Sequence, residues 1–361
     1  MPASSMPAPR VPVFDGHNDS LLRLLLSGHP SPEEGFLAGE RLCHLDLPRA
    51  RAGGFVGGLF AIYVPDPSGA GVEADALMTR PRYDVPLPPA LDPGYARDAT
   101  LAMLAILLRL ERASEGALAV CRSVPDIEAA MARGAVAMVA HLEGAEAIDP
   151  DLRTLEVLHA AGLRSLGPVW SRPTIFGEGV PFRFPSGPDI GRGLTPAGEA
   201  LVRACNRLRI MIDLSHLNER GFWDVARLSR APLVATHSNA HAICPHARNL
   251  TDAQLAAIGE SRGMVGLNFA TSFIRPDGRR DAATPLSMMV DHIDHLVARV
   301  GIDGVGLGSD FDGATMPDAI GDARGLPNLV AALAERGYAG EALEKICWRN
   351  WLRVLDATWR A

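Results

Sequence analysis

Short apolar runs recur along the chain, each followed by turn residues and then by helical periodicity. This alternation limits the fold more than any other feature. The runs are VPVFD (11–15), FVGGLFAIYV (55–64), VAMVAHLEG (136–144), LRSLGPVW (163–170), IMIDLSH (210–216), PLVATHS (232–238), MVGLNF (264–269) and GVGLGSDF (304–311). Helical patterns lie between most of them, at 96–115, 151–161, 195–208, 219–229, 251–260, 285–299 and 325–336, and a last amphipathic helix covers 340–357. Eight strand–helix alternations predict an α/β fold of one kind, a (β/α)8 TIM barrel, with 1–361 as a single domain. Runs that are apolar throughout suit parallel strands covered on both faces. The stretches 65–95 and 171–194 carry no clear period. They predict long loops after strands 2 and 4, of the kind that often serve as lids or binding loops.

Composition excludes several functions. The net charge of −7, with charged residues of both signs, offers no basic patch for nucleic acid. No apolar run approaches the roughly 18 residues of a membrane span, and the start, MPASSMPAPRVPV, lacks the apolar centre of a signal peptide. The 5 cysteines are scattered and form no CxxC pair, so neither a disulfide framework nor a cysteine zinc site is expected and a cytoplasmic setting is. Lys345 is the only lysine and sits in the C-terminal helical pattern. That placement excludes Schiff-base chemistry, which needs an active-site amine, and a metal pair bridged by a carbamylated lysine.

Chemistry in a (β/α)8 barrel collects at the C-terminal ends of the strands. The first run leads into His17 and Asp19, the third ends at Glu143, the fifth at His216, the sixth at His237 and the eighth at Asp310, while the fourth ends in Trp170. Residues two apart on a strand share a face, so His17 and Asp19 can enter the barrel mouth together. An imidazole nitrogen and a carboxylate oxygen suit Zn²⁺ or a similar ion. The pair alone is equally compatible with an Asp that caps a helix above a packed His. Glu143, beside the other candidates, is a carboxylate able to bridge two cations. His141, on the same face, is open to a supporting role or a place in the core. Taken together, His17, Asp19, Glu143, His216 and His237 bring three imidazoles and two carboxylates from four strands to one barrel end, which predicts a metal site. With the ligands supplied, Asp310 reads as the proton carrier, and Asp312 as a residue that fixes the turn with Gly313. Arg248 has two readings: a planar, bidentate contact to a substrate carboxylate, or a surface pair with Asp252. His241 and His246 in the same loop are candidates for extra contacts.

The motifs FDGHND (14–19), HLEG (141–144), IDLSHLNERGFWDV (212–225), ATHSNAHAICPHARNLTD (235–252) and GLGSDFDG (306–313) run in that order, with RNWLRVL (349–355) near the end. In this order, across nearly the whole chain, the sequence resembles the renal (membrane) dipeptidase family, M19-type metallopeptidases of the amidohydrolase-like barrels. The resemblance implies a binuclear centre of two divalent metal ions, expected to be Zn²⁺, with no lysine bridge. By position it implies that His17 and Asp19 hold one zinc, that His216 and His237 hold the other, and that Glu143 bridges them. It matches Asp310 to the general acid/base and Arg248 to the arginine that takes the substrate's terminal carboxylate, which decides between the two readings of Arg248.

There is one departure. Dipeptide-cleaving members of the family carry a His after strand 4, in a segment like LTHN, near the scissile carbonyl. Here the segment is RSLGPVWSRPTIFGEGVPF (164–182), with Trp170 at that position. Indole donates one hydrogen bond and carries no charge, and loss of an oxyanion donor can cost roughly 10²–10³ in rate. Arg172 and Glu178 are the candidates to replace it, Arg172 by stabilising negative charge or reading a substrate carboxylate. The expected function is a zinc-dependent dipeptidase acting on small-molecule dipeptides, including those with a D-residue at the C-terminal position, through a hydroxide held by the metals. Two alternatives stand beside it: hydrolysis of another amide, such as an N-acyl amino acid or a lactam, in a site altered by Trp170, and a non-catalytic metal-binding barrel. Asp310 speaks against the second, because a binder needs no proton carrier. Family members are often dimers, so a homodimer is open. The C-terminal helix, with Trp348, Trp351 and Trp359, would pack on a partner or on the barrel, the commoner use of such a stripe.

Overall fold

All eight apolar runs become strands of one parallel sheet that curls back on itself. The structure, a computed structural model, describes residues 11–67 and 76–360. Its strands are β1 (Val13–Asn18), β2 (Phe55–Tyr63), β3 (Tyr83–Val85), β4 (Leu118–Val120), β5 (Val136–Glu143), β6 (Leu163–Gly167), β7 (Phe182–Phe184), β8 (Met211–Ile212), β9 (Val234–Ala235), β10 (Met264–Asn268) and β11 (Val305–Gly308). The barrel runs β1-β2-β5-β6-β8 and β9-β10-β11, with β11 returning to β1. At the seam between β8 and β9 the backbone pairing among the described residues is reduced to the bridge Asp213↔Val234. β4 is a short addition that pairs with β5 outside the ring.

Two buried layers hold the sheet. Phe14, Leu59, Val139, Met211, Val234 and Met264 come from six different barrel strands and meet in one cluster with Trp351, so they fill the lumen. A larger cluster lies between the strands and the surrounding helices. Trp351 is fully buried, and its indole N–H donates to the Leu307 carbonyl at 2.9 Å. It fits because β1 carries glycine at Gly16, where a Cβ would run into the indole ring. The C-terminal segment is therefore barrel core. It is a helix interrupted by a π turn: Glu341–Glu344, Lys345–Arg349 and Asn350–Trp359. Just after the turn, the Asn350 side chain donates to the carbonyls of Ile302 (2.7 Å) and Val305 (2.8 Å) at the start of β11. Lys345 pairs with Asp303 at that same end, opposite the strand C-termini.

The connections hold what periodicity does not show. Between β1 and β2 lie three helices, Ser20–Leu26, Pro32–Ala38 and Leu47–Gly53, each only 7 residues long. Two of them have proline in the first turn, where the missing N–H costs nothing but where a sequence reads as broken. The two irregular loops after the second and fourth barrel strands meet each other. β3 and β7 form a small antiparallel sheet in which Tyr83 faces Phe184. Residues 68–75 of the first loop lie outside the described residues.

Candidate metal centre

The ends of β1 and β11 are joined beyond their ladder. The Asp19 N–H donates to the Phe311 carbonyl (2.7 Å), and the Asp310 N–H donates to the His17 carbonyl (2.9 Å). Asp15 accepts from the Ser309 N–H (2.6 Å) and hydroxyl (2.8 Å) and ties the same two strands. The β1–β2 register shifts between Asp15 and Asn18. A bulge breaks strict alternation, which lets Phe14 face the lumen and His17, three residues on, face the mouth. Asp19 occupies the N-cap position of the Ser20–Leu26 helix, but its side chain makes no cap bond. It turns instead toward Asp310. A Cβ at Gly313 would meet both carboxylates, at Asp19 Oδ2 and Asp310 Oδ1, so glycine there is what lets the two stand together.

Five side chains from β1, β5, β8 and β9 converge. His17 Nε2 lies 3.5 Å from Asp19 Oδ2 and 3.5 Å from Glu143 Oε2. Glu143 turns its other oxygen, Oε1, to His216 Nε2 (3.0 Å) and His237 Nε2 (3.6 Å). The two Nε2 atoms of His216 and His237 stand 3.1 Å apart, and the His17 ring stacks on His237 at 3.9 Å. All five residues are buried. His17 Nδ1, His17 Nε2 and Asp19 Oδ1 have no hydrogen-bond partner. Buried polar atoms without partners are costly, and a divalent cation held between one His17 ring nitrogen and the Asp19 carboxylate would satisfy both of those groups. Among the described residues, His17–Glu143–His237 and His17–Asp19–Asp310 each bring their ligand atoms within 4.8 Å of one another.

At His216 and His237 the electrostatics suit the same occupant. Burial, with Arg248 adding, lowers His216 to about 4, and burial with His17 and Arg248 holds His237 well below its ordinary value. Both are therefore neutral imidazoles near pH 7, the form that ligates. Burial and the charge of Glu143 push Asp19 up to about 7 and raise Asp310 as well. Glu143 goes the other way: burial lifts it, but His17 and His216 outweigh burial and hold it well below the usual carboxylate range.

The remaining candidates fall around this cluster. Asp310 accepts a hydrogen bond from the Asn268 side chain (2.9 Å) and adopts a left-handed backbone, φ 59°. Arg248 is 4% exposed; its guanidinium donates to the His237 carbonyl (3.1 Å) and Ser238 hydroxyl (3.3 Å), lies over Phe273, and leaves Nε without a partner. Its predicted surface rival does not form, since Asp252 pairs with His295 and Arg299. Trp170 is half-buried, 5.8 Å from the His216 ring and 5.6 Å from Phe182. Arg172 lies behind it, fully buried, 5.2 Å from the Trp170 ring and 3.2 Å from the Glu146 carboxylate. His241 Nε2 donates to the Ser186 carbonyl (3.0 Å), and His246 packs on Phe273. Asp312 and Gly313 lie in the expected turn, and the Asp312 side chain accepts from the His44 N–H and the Ser20 hydroxyl, tying that turn to the segment after β1.

Several residues of the site escape a sequence reading. Ser171 bonds His216 Nδ1 and Thr236 bonds His237 Nδ1, each at 2.8 Å. Asp213, Asn268 and Glu146 are buried polar groups with specific partners. The signal for them was position alone: Asp213 and Thr236 lie within three residues of a run's polar end, and Asn268 is next to last in its run.

Comparison with known proteins bears on this geometry. The model of a family described as membrane dipeptidase (peptidase family M19) matches residues 8–360. A metallopeptidase from Rhodobacter sphaeroides, solved with a phosphinate mimic of the dipeptide L-Ala-D-Ala, is 56% identical; the match covers 97% of this chain and 99% of that one, with a TM-score of 0.95. A protein of the pqqA 5′ region of Klebsiella pneumoniae is 52% identical over 268 residues, 74% of this chain and 99% of its own length. The dipeptidase tcpJ of Claviceps purpurea is 28% identical over 345 residues, 94% of this chain and 76% of its own.

Proposed function

This chain belongs to the membrane dipeptidase family of metallopeptidases, and from that premise we propose that it hydrolyses dipeptides at two zinc ions. The observation that carries the proposal is the convergence of buried imidazole and carboxylate groups from four strand ends, with atoms of His17 and Asp19 left unpaired. In this reading His17 and Asp19 would hold one ion, His216 and His237 would hold the second, and Glu143, which lies between the two pairs, would serve both. The chain 1–361 works as one barrel domain. Bound divalent metal supplies Lewis acidity, lowering the pKa of water and polarising a carbonyl.

The protein's own groups do the rest. Asp310, oriented by Asn268, takes the proton from the attacking water and returns it to the leaving amine. Arg248 receives the C-terminal carboxylate through Nε, its nitrogen without a partner. Burial lowers the Arg248 guanidinium only to about 10, so it stays charged. Trp170 forms a wall of the substrate site beside His216. Arg172 contributes by holding that indole from behind, because Glu146 already occupies part of its fork. A D-residue at the C-terminal position is supported by the ligand of the Rhodobacter sphaeroides relative, a mimic of L-Ala-D-Ala. The 5 free, buried cysteines favour a cytoplasmic setting. Among the described residues, no helix is long and apolar enough to cross a membrane.

A library of dipeptides with L- and D-residues at each position tests the assignment. The expected result is metal-dependent cleavage, with L-Xaa-D-Xaa among the best substrates. The apolar face that Trp170 and Phe182 present favours a second reading, hydrolysis of N-acyl amino acids. Turnover of those, with no cleavage of any dipeptide, would select it.

A further inference from the structure

Past the bridge Asp213↔Val234, the seam between β8 and β9 is closed by side chains where the backbone ladder stops. Asp213 Oδ1 accepts from the N–H groups of Ser215 (2.9 Å) and Thr236 (2.8 Å). The Ser215 hydroxyl accepts from the His237 N–H (3.1 Å). The two residues that flank this seam, His216 and His237, are the ones whose Nε2 atoms stand 3.1 Å apart.

Asp213 also governs a proton. The Thr236 hydroxyl donates to Asp213 Oδ2 at 2.6 Å, and Thr236 Oγ1 lies 2.8 Å from His237 Nδ1. A hydroxyl has one proton, and a carboxylate only accepts. Thr236 spends its proton on Asp213, so toward His237 it can only accept. The His237 proton must then sit on Nδ1, which leaves the Nε2 lone pair facing Glu143 and His216. Asp213 and Thr236 are both fully buried, so water does not offer a competing partner.

We propose that Asp213 is a positioning residue of the metal centre, acting through Thr236 to fix the Nδ1–H tautomer of His237 and through the seam to fix the spacing of His237 from His216. The proposal rests on the reading of those two histidines as metal ligands. Groups in this outer position commonly contribute 10- to 100-fold to metal affinity.

Three variants of the full-length protein test it: Asp213→Asn, Thr236→Val and Thr236→Ser. In Asp213→Asn the amide oxygen can keep the two backbone N–H bonds, which places the amide NH₂ against Thr236. The hydroxyl then accepts from the amide and donates to His237 Nδ1, moving the histidine proton to Nε2. Zinc affinity is measured by chelator competition on the loaded protein, and the tautomer by ¹⁵N NMR of histidine-labelled, zinc-stripped protein. The expected results are a loss of about 10- to 100-fold in affinity for Asp213→Asn and Thr236→Val, and affinity near wild type for Thr236→Ser. His237 should carry its proton on Nδ1 in wild type and Thr236→Ser, and shift toward Nε2 in Asp213→Asn. Unchanged affinity and tautomer in Asp213→Asn and Thr236→Val would overturn the positioning role alone. A wild-type protein that takes up no zinc would overturn the ligand reading and this proposal together.

Discussion

Asp19 ends one strand and caps a helix in name only; its carboxylate serves neither element. Burial and Glu143 hold its pKa at about 7 when no metal is bound. If Asp19 is a metal ligand as proposed, a cation displaces that proton, so binding and pH are linked. Above about pH 7 the carboxylate is already ionised and affinity is flat with respect to this group. Below it, each pH unit should weaken metal binding about tenfold. Calorimetric titration in buffers of different ionisation enthalpy should record more proton release at pH 6 than at pH 8, the excess being the Asp19 proton, since Glu143 and Asp19 outweigh burial and raise His17 well above its ordinary value; equal release at both would contradict the assignment. At this scale the sequence was informative where a residue ended an apolar run: His17, Asp19, Glu143, His216, His237 and Asp310 could all be named, and the structure places them together. Asp213 and Thr236 could not. A polar residue that bonds backbone one strand away looks, in sequence, like any other turn residue.

At the level of elements, long runs with a clear period were legible and short ones were not. The helices Pro196–Leu208 and Asp252–Glu260 match the periodicity within one residue, and the second opens with a capping box between Thr251 and Gln254. β3, β4 and β7 have 3 residues each, too few for alternation to show, and β3 and β7 exist because two distant loops meet. The C-terminal helix was visible as an amphipathic pattern, but its π turn was not. That turn seats Asn350 on the carbonyls of Ile302 and Val305 and brings Trp351 under the lumen. Burial of such a side chain is worth about 3–5 kcal/mol when it is cut to alanine. Trp351→Ala should therefore lower unfolding free energy by about that amount in denaturant titration. A loss below about 1 kcal/mol would mean that the indole does not carry the barrel's closed end.

For the whole molecule, the order of strands follows from chain order, since parallel neighbours joined by right-handed crossovers leave few other arrangements. Eight apolar runs therefore foretold the barrel, and the barrel foretold where the polar run ends would gather. What chain order leaves open is the mouth, where the loops carrying Trp170, Phe182 and Arg248 meet. Catalysis there joins two separable functions, holding metal and moving a proton, and Asp310 lies close enough to His17 and Asp19 for distance alone to allow either. The direct test is turnover of L-Ala-D-Ala by Asp310→Asn at measured zinc content. The expected result is full zinc occupancy with turnover reduced by about 10²–10⁴. Loss of zinc from the variant, or wild-type turnover with zinc retained, would contradict it.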